Sequence, residues 1–452
     1  MTLTETDITF PAGPPTDVIG GHLLSMRRDS LGFLEHNMQY GDLTHLKFMK
    51  YDAYQVNHPD LIGEVLTRKN HIWHKSWIYK RTLRDYLGKG LLSADGDFWR
   101  RQRKLMQPAF HVKRISAYAD TMTQYTERML SDWEDGTQRD VAIDMMQVTL
   151  YIVGKTLFDA DLRTTYGDVA RALEYMLEDI VDASQTVIRL PDWMPTPARH
   201  KRNQTVELLN SVVMPLIEKR RANGEDTGDL LSMLLMAEDE DGKGMSNDQI
   251  RDEALTIVLA GHETTANTLT WAFYLLAQNP DIADKLYAEV DSVLQGKSPT
   301  LTDLGDLTYT EQVIKEAMRI YPPVWSVARS AMETTQLGDY EIPQYATAVI
   351  PIWSVHHDER WYPEPWTFDP ERWTPENEKQ IPRYAYLPFG GGPRICIGNS
   401  FAMMEAKIIL AAIAQKFHLT LVEGHVVEPE PLVTLRPKYG MQMQLQARYT
   451  PS

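Results

Sequence analysis

Apolar and polar positions alternate through Leu46-Lys47-Phe48-Met49 and Tyr54-Gln55-Val56, joined by Lys50 to Asp52. A period of two is the spacing of a strand with one buried face, so this stretch predicts a β-hairpin. From about Asp60 to Gln278 apolar residues instead return every three or four positions, as in helices packed on a core. Pro191, Pro195 and Pro197 interrupt that pattern and predict a break between two helices. The acidic, glycine-bearing run Glu238 to Gly244 predicts a solvated loop. Directly after it, Ser246-Asn-Asp-Gln249 has the form of a capping box. The helical pattern then holds until Asn279-Pro280, which predicts one helix of roughly 48 Å crossing the whole molecule. Beyond Leu301 come short helices, proline-rich loops and strands, and Met441 to Gln446 alternates strictly like a half-buried strand. At the other end, Phe10-Pro-Ala-Gly-Pro-Pro15 is a stiff extended lead-in. The pattern predicts a mainly α chain with a smaller β-rich region. Without an internal linker, a single domain over residues 1–452 is expected.

Composition narrows the function classes. Charged residues make up 24% and hydrophobic ones 43%, as in an ordinary globular chain and unlike a disordered or collagenous one. Acidic residues outnumber basic ones by 62 to 46, a net charge of −16, which argues against nucleic acid as the main partner. The single cysteine, Cys396, permits no intramolecular disulfide. The N-terminus lacks the charged start and apolar run of a signal peptide, and no uninterrupted apolar run reaches membrane-span length. A cytoplasmic address and no membrane span are therefore expected.

The chemistry concentrates around Cys396, in Phe389-Gly-Gly-Gly-Pro-Arg394-Ile-Cys396-Ile-Gly398. Three consecutive glycines imply backbone in a conformation that glycine favours, or backbone pressed against something flat. An amphipathic helix begins just past the cysteine, and the positive end of its dipole favours thiolate over thiol. Such a thiolate can be a nucleophile, a zinc ligand or a haem ligand; the bland reading is a small buried hydrophobe. A structural zinc site lacks the other cysteines, and a cysteine protease lacks a local signature.

The run Phe-Gly-x-Gly-x-Arg-x-Cys-x-Gly resembles the haem-binding signature of the cytochrome P-450 family, the haem-thiolate monooxygenases, with every fixed position present. The family's Glu-x-x-Arg is matched by Glu316-Ala-Met-Arg319, and its Pro-Glu-Arg-aromatic element by Pro370-Glu371-Arg372-Trp373. The resemblance implies the cytochrome P-450 fold. Haem b is expected between a long central helix and the cysteine loop and helix. Cys396 becomes the axial iron ligand, and Glu316, Arg319 and Arg372 a structural cluster. Phe389, Gly390 and Gly398 join the cofactor-binding set.

Midway along the long helix, Ala260-Gly261-His262-Glu263-Thr264-Thr265 is a second match. Glycine there costs roughly 1 kcal/mol against alanine, so Gly261, with Ala260, is expected to admit a large planar group. His262-Glu263 opens a zincin-like pattern, but Ala266 stands where the second histidine ligand would be. By resemblance Glu263 is the acid and Thr264 the alcohol that deliver protons during dioxygen activation. Trp99, Arg103, Arg329 and Arg394 fit contacts to the haem propionates, and His356 and His357 read as loop histidines. Family position places the 71–87 segment, the loop around Val187 to Pro195, Val324, Val327, Val433 and Thr434 around the substrate. The segments Gly90 to Phe110 and Ala260 to Thr265 resemble the branch with fatty-acid hydroxylases, with a terpenoid or carotenoid hydroxylase next in order. Rivals are a haem-thiolate isomerase, dehydratase or peroxygenase needing no external electrons, and a haem sensor. No flavin-binding extension follows the last strand, so a separate electron donor is expected. Arg100, Arg101, Lys104 and Lys113 stand in a basic stretch without acids between Trp99 and Arg114, which suggests docking of an acidic ferredoxin or flavodoxin-type protein. A monomer is expected.

Overall fold

The structure, a computed structural model, describes residues 10–17, 20–163, 165–185, 194–224 and 226–448, with backbone alone for residues 77–79, 81, 184 and 185. The part of the expected pocket loop from Val187 to Trp193 therefore lies outside the described residues. The chain divides into two compact units: residues 1–80, 324–366 and 379–396 form one, and 81–323, 367–378 and 397–452 the other.

In the first unit the predicted hairpin is present as β1 (Leu43–Phe48) and β2 (Tyr51–Val56), paired antiparallel with Leu46 opposite Ala53. The turn is tighter than the alternation suggested, because Met49 takes a left-handed φ of 55° and reverses the chain at once. With β3 (Trp73–Lys75), β4 (Val327–Ala331) and β5 (Thr347–Ile350) the hairpin makes a five-stranded sheet in the order β1-β2-β5-β4-β3. Tyr54, Val56, Ile62, Trp73, Ala348, Ile350 and Leu387 form the buried core of this unit, and Val324 and Val327 pack against it half-buried.

The second unit is mainly helical. It contains α1 (Gly96–Met106), α2 (Val141–Phe158), α3 (Asn247–Gln278), α4 (Thr308–Ile320) and α5 (Asn399–Lys416). Helix α3 runs for 32 residues from the predicted capping box, with the Ser246 hydroxyl accepting from the Gln249 amide and the Gln249 side chain accepting from the Ser246 amide. Nearly every residue of its central part is buried, as required of a helix surrounded on all sides. Helix α2 is long and apolar enough to cross a membrane by length and composition, but 67% of it is buried inside the protein. It packs against α3, and Asp144 within it holds Arg139 through a bidentate pair at 2.7 and 2.8 Å. Helix Pro197–Asn223 starts with Pro197 in its first turn and Thr196 as its cap, the described side of the predicted proline break. The C-terminal alternation becomes strand Gln442–Ala447, central between Gln138–Asp140 and Phe417–Leu421, with Met443 and Leu445 fully buried. A small antiparallel ribbon, β6 (Pro429–Pro431) and β7 (Leu435–Pro437), completes the elements needed below.

Candidate functional site

The cysteine loop belongs to the first unit. Gly390 and Gly392 both lie in the left-handed region, at φ 71° and 67°. At Gly392 a Cβ would stand 2.0 Å from the Leu66 carbonyl oxygen, so only glycine lets the loop sit on the Glu64–Arg68 turn. The flat surface inferred from the glycines is, at this position, the protein's own backbone. The Cys396 amide donates to the Phe389 carbonyl at 2.9 Å and closes the loop, while the Cys396 side chain is exposed. Arg394 sits half-buried in the Gly392–Arg394 turn, and Arg329 on β4 donates to the Ala328 carbonyl at 2.9 Å.

His356 and His357 are not loop histidines. Both are buried at the end of helix Ile352–His356, where the Leu387 amide donates to His356 Nε2 at 2.8 Å. That bond fixes the proton of His356 on Nδ1 and anchors the segment leading into the cysteine loop. His357 is stacked on Trp366 with ring centroids 3.9 Å apart. Burial decided both placements, and the polar neighbours in the sequence concealed it.

In the second unit the structure brings Glu316, Arg319 and Arg372 together. Glu316 and Arg319 are fully buried, and Arg319 donates to both carboxylate oxygens at 2.9 and 2.8 Å. Arg372 makes a looser contact of 3.4 Å to Glu316. The bonds expected from a second guanidinium are instead supplied by the Trp373 indole at 2.9 Å and the Asp369 amide at 3.2 Å. The carboxylate is thus satisfied by one bidentate arginine, an indole and a backbone amide.

Helix α3 opens at one place. Between Glu253 and Phe273, only Ala260, Gly261 and Thr264 are not buried, and they are neighbours on one face. The Thr264 hydroxyl donates back to the Ala260 carbonyl at 2.7 Å. Gly261 does not hold its place through a planar group alone, because its added Cβ would stand 3.2 Å from Val153 of α2. Close packing against α2 is one reason for a glycine there, since Val153 would otherwise have to give by a few tenths of an ångström. His262 is buried and donates from Nδ1 to the Val258 carbonyl at 3.1 Å, and burial lowers its pKa to about 4, so it stays neutral.

Glu263 is 2% exposed. Burial raises its carboxyl pKa to about 7, against a smaller lowering by a hydrogen bond from Thr434 and by the charge of Arg436. The Thr434 hydroxyl donates to Glu263 Oε1 at 2.7 Å, so this residue, expected to line the substrate pocket, directs its polar atom to the acid. Glu405 on α5 is a further fully buried carboxyl held well above its usual range by burial, moderated by Thr265. Sequence reasoning missed Glu405 and the bond made by Thr434, since nothing in local spacing marks a partner 171 positions away.

Trp99 and Arg103 stand one turn apart on α1, both half-buried. On the same helix the basic stretch is partly neutralised by the acidic loop that was expected only to be solvated. Arg101 pairs with Asp239 at 2.6 Å and Lys104 with Glu240, while Arg100 pairs with Asp97 of its own helix. Lys113 is exposed on the following short helix. Val433 is half-buried beside Thr434.

A cysteine sulfur exposed on a glycine-built loop, in one unit, and an open face on an otherwise buried helix, in the other, are the two features a haem-thiolate protein must supply. The cytochrome P450 family model matches residues 11–444. Cyclooctatin synthase of Streptomyces melanosporofaciens is 36% identical over 94% of this chain and 92% of that protein. Pentalenene oxygenase of Streptomyces avermitilis is 33% identical over 97% and 98%. The crystal structure of the cytochrome P450DA haem domain superposes with a TM-score of 0.89 at 27% identity, covering 98% of this chain and 99% of that one. The chain belongs to the cytochrome P450 family. It is an oxidoreductase, a monooxygenase whose cofactor is haem b, with the mainly α fold that the hydrophobic pattern predicted.

Proposed function

We propose that the chain acts as one haem domain that inserts an oxygen atom of dioxygen into a largely apolar, cyclic molecule of terpenoid type, with electrons from a separate protein. The observation that carries the chemistry is the open turn of α3, where a buried acid, Glu263, adjoins a half-open alcohol, Thr264. Haem b supplies the redox centre at which dioxygen is activated. Cys396 would be its axial ligand through sulfur, and Trp99, Arg103, Arg329 and Arg394 would hold the propionates. Phe389, Gly390, Gly398, Ala260 and Gly261 would supply surface against the ring. At pH near 7 Glu263 is poised between its two protonation states, which suits a group that must both take and give a proton.

The cyclic substrate rests on relatives named for cyclooctat-9-en-7-ol and pentalenene, and it displaces the fatty acid first expected from the sequence. Val324, Val327 and Val433 would offer the apolar contacts such a molecule needs. A panel of cyclic olefins and fatty acids, scored by displacement of the water ligand of the ferric haem, tests this choice. Tighter binding of the fatty acids would reverse it. Thr264→Ala should keep substrate affinity within about twofold and release peroxide in place of product, with product per electron falling roughly tenfold or more. Unchanged product per electron would remove Thr264 from the proton path.

The electron donor is proposed to be an acidic ferredoxin or flavodoxin-type protein meeting the basic stretch at Arg100, Arg101, Lys104 and Lys113, with the enzyme a cytoplasmic monomer. Because Asp239, Glu240 and Asp97 already pair with Arg101, Lys104 and Arg100, the donor's carboxylates must replace them or rely on Lys113. Lys113→Glu with Arg100→Glu should slow reduction several-fold and flatten its ionic-strength dependence, leaving substrate binding alone. Reduction by an acidic donor that ignores both charge reversal and salt would exclude this surface.

A further inference from the structure

Thr434 lies between β6 and β7, is 5% exposed, and is 171 residues from Glu263 in sequence, yet its hydroxyl meets the acid at 2.7 Å. The same hydroxyl oxygen accepts from the Asn267 side-chain amide at 3.2 Å, and Asn267 is fully buried one turn beyond Glu263 on α3. A hydroxyl has one proton. With the Asn267 amide donating to Thr434 Oγ1, the Thr434 proton is directed to Glu263 Oε1. In that orientation Oε1 is the acceptor, which leaves Oε2 to carry the proton of a neutral Glu263. Glu263 Oε2 is buried and has no hydrogen-bond partner among the described residues. A buried polar atom left without a protein partner is costly and uncommon, so this oxygen calls for a functional explanation.

We propose that Thr434, oriented by Asn267, is a positioning residue that clamps Oε1 of Glu263 and so dedicates Oε2 to proton transfer. The proposal rests on Glu263 being the acid of the proton-delivering pair. The clamp itself is a property of the resting protein. It acts on the acid in two ways: it fixes the carboxyl rotamer, and by donating to the ionised form it opposes the effect of burial on proton affinity.

Among the described residues no other titratable group is hydrogen-bonded to Oε2. On α3 itself His262 is neutral, and α2 brings Thr149 and Val153 to this turn, neither of which titrates. From α5 comes Glu405, beside Thr265, its carboxyl held well above its usual range by burial. From the β6–β7 ribbon comes Arg436, bonded to Glu430 at 2.8 Å and near Glu174 and Glu178 at 3.7 and 3.8 Å. Three carboxylates around Arg436 soften its field on Glu263, which leaves the Thr434 hydroxyl as the specific partner.

The experiment uses the haem-loaded protein and reads the Glu263 carboxyl by infrared difference spectroscopy across pH, with Glu263→Gln identifying its carbonyl band. In Thr434→Val the protonation midpoint should move upward, equivalent to roughly a tenfold gain in proton affinity for each unit moved. Product per electron should fall several-fold, with substrate affinity kept. Thr434→Ser retains the hydroxyl and should restore both readouts. A midpoint that does not move in Thr434→Val overturns the clamp. So does a Thr434→Ser variant as impaired as the valine one, because packing of the methyl would then be what matters. If Glu263→Gln itself left product per electron unchanged, the role of Glu263 as acid would fall, while the midpoint shift would still report on the clamp.

Discussion

Cys396→Ser is expected to abolish the thiolate signature of the haem and all monooxygenase turnover while leaving the polypeptide as stable as before. The two halves of that expectation have separate physical causes. A serine hydroxyl ionises far above the range in which a thiol, with an ordinary pKa of about 8.5, becomes a thiolate, so oxygen cannot take over as an anionic soft ligand. Proximal thiolate is also what favours O–O cleavage in this class of enzyme. The fold should not notice the change. The bond that closes its loop runs from the backbone amide to the Phe389 carbonyl, which serine retains. The carbon-monoxide difference spectrum and apoprotein denaturant unfolding measure the two halves. A normal thiolate band in the serine variant would remove Cys396 from the axial position.

Arg319→Met should be the most destabilising single change in the second unit. It leaves the Glu316 carboxylate, itself fully buried, without its bidentate partner, and removing one member of a buried pair costs about 3–5 kcal/mol. That is a large part of the roughly 5–15 kcal/mol that stabilises a typical domain. The Trp373 indole and Asp369 amide would remain on the carboxylate, but neither carries charge. Arg372→Met should cost much less, since its contact is 3.4 Å and its side chain is partly exposed. Replacing Glu316 by Leu together with Arg319→Met should recover part of the loss, because an apolar pair has no stranded charge. Urea unfolding of these variants beside the parent protein gives the ranking. An Arg319→Met midpoint equal to that of Arg372→Met would show that the cluster is not the keystone of its unit.

The placement of Arg319 and Glu316 was legible because they lie three apart on one helix, where spacing alone makes them neighbours. The exchange of a second arginine for Trp373 as the closer partner was not, since a 3₁₀ turn at Pro370–Trp373 decides which side chain points inward. The glycines divide in the same way. Their need for unusual backbone was visible at Gly390 and Gly392, but what presses on Gly392 is Leu66, and what presses on Gly261 is Val153.

By itself the sequence determined the hairpin, the capped 32-residue helix, the C-terminal strand, the cysteine loop and the family they belong to. Each is written in periodicity, caps or a contiguous motif, that is, in interactions between residues close along the chain. Only the tertiary structure decided that Glu263 is bonded by Thr434, that His356 holds the Leu387 amide, and that Asp239 and Glu240 pair with Arg101 and Lys104. Those pairings join residues far apart in sequence. Hydrogen bonds and burial act on distance in space, and no local pattern records which distant side chain will supply the partner.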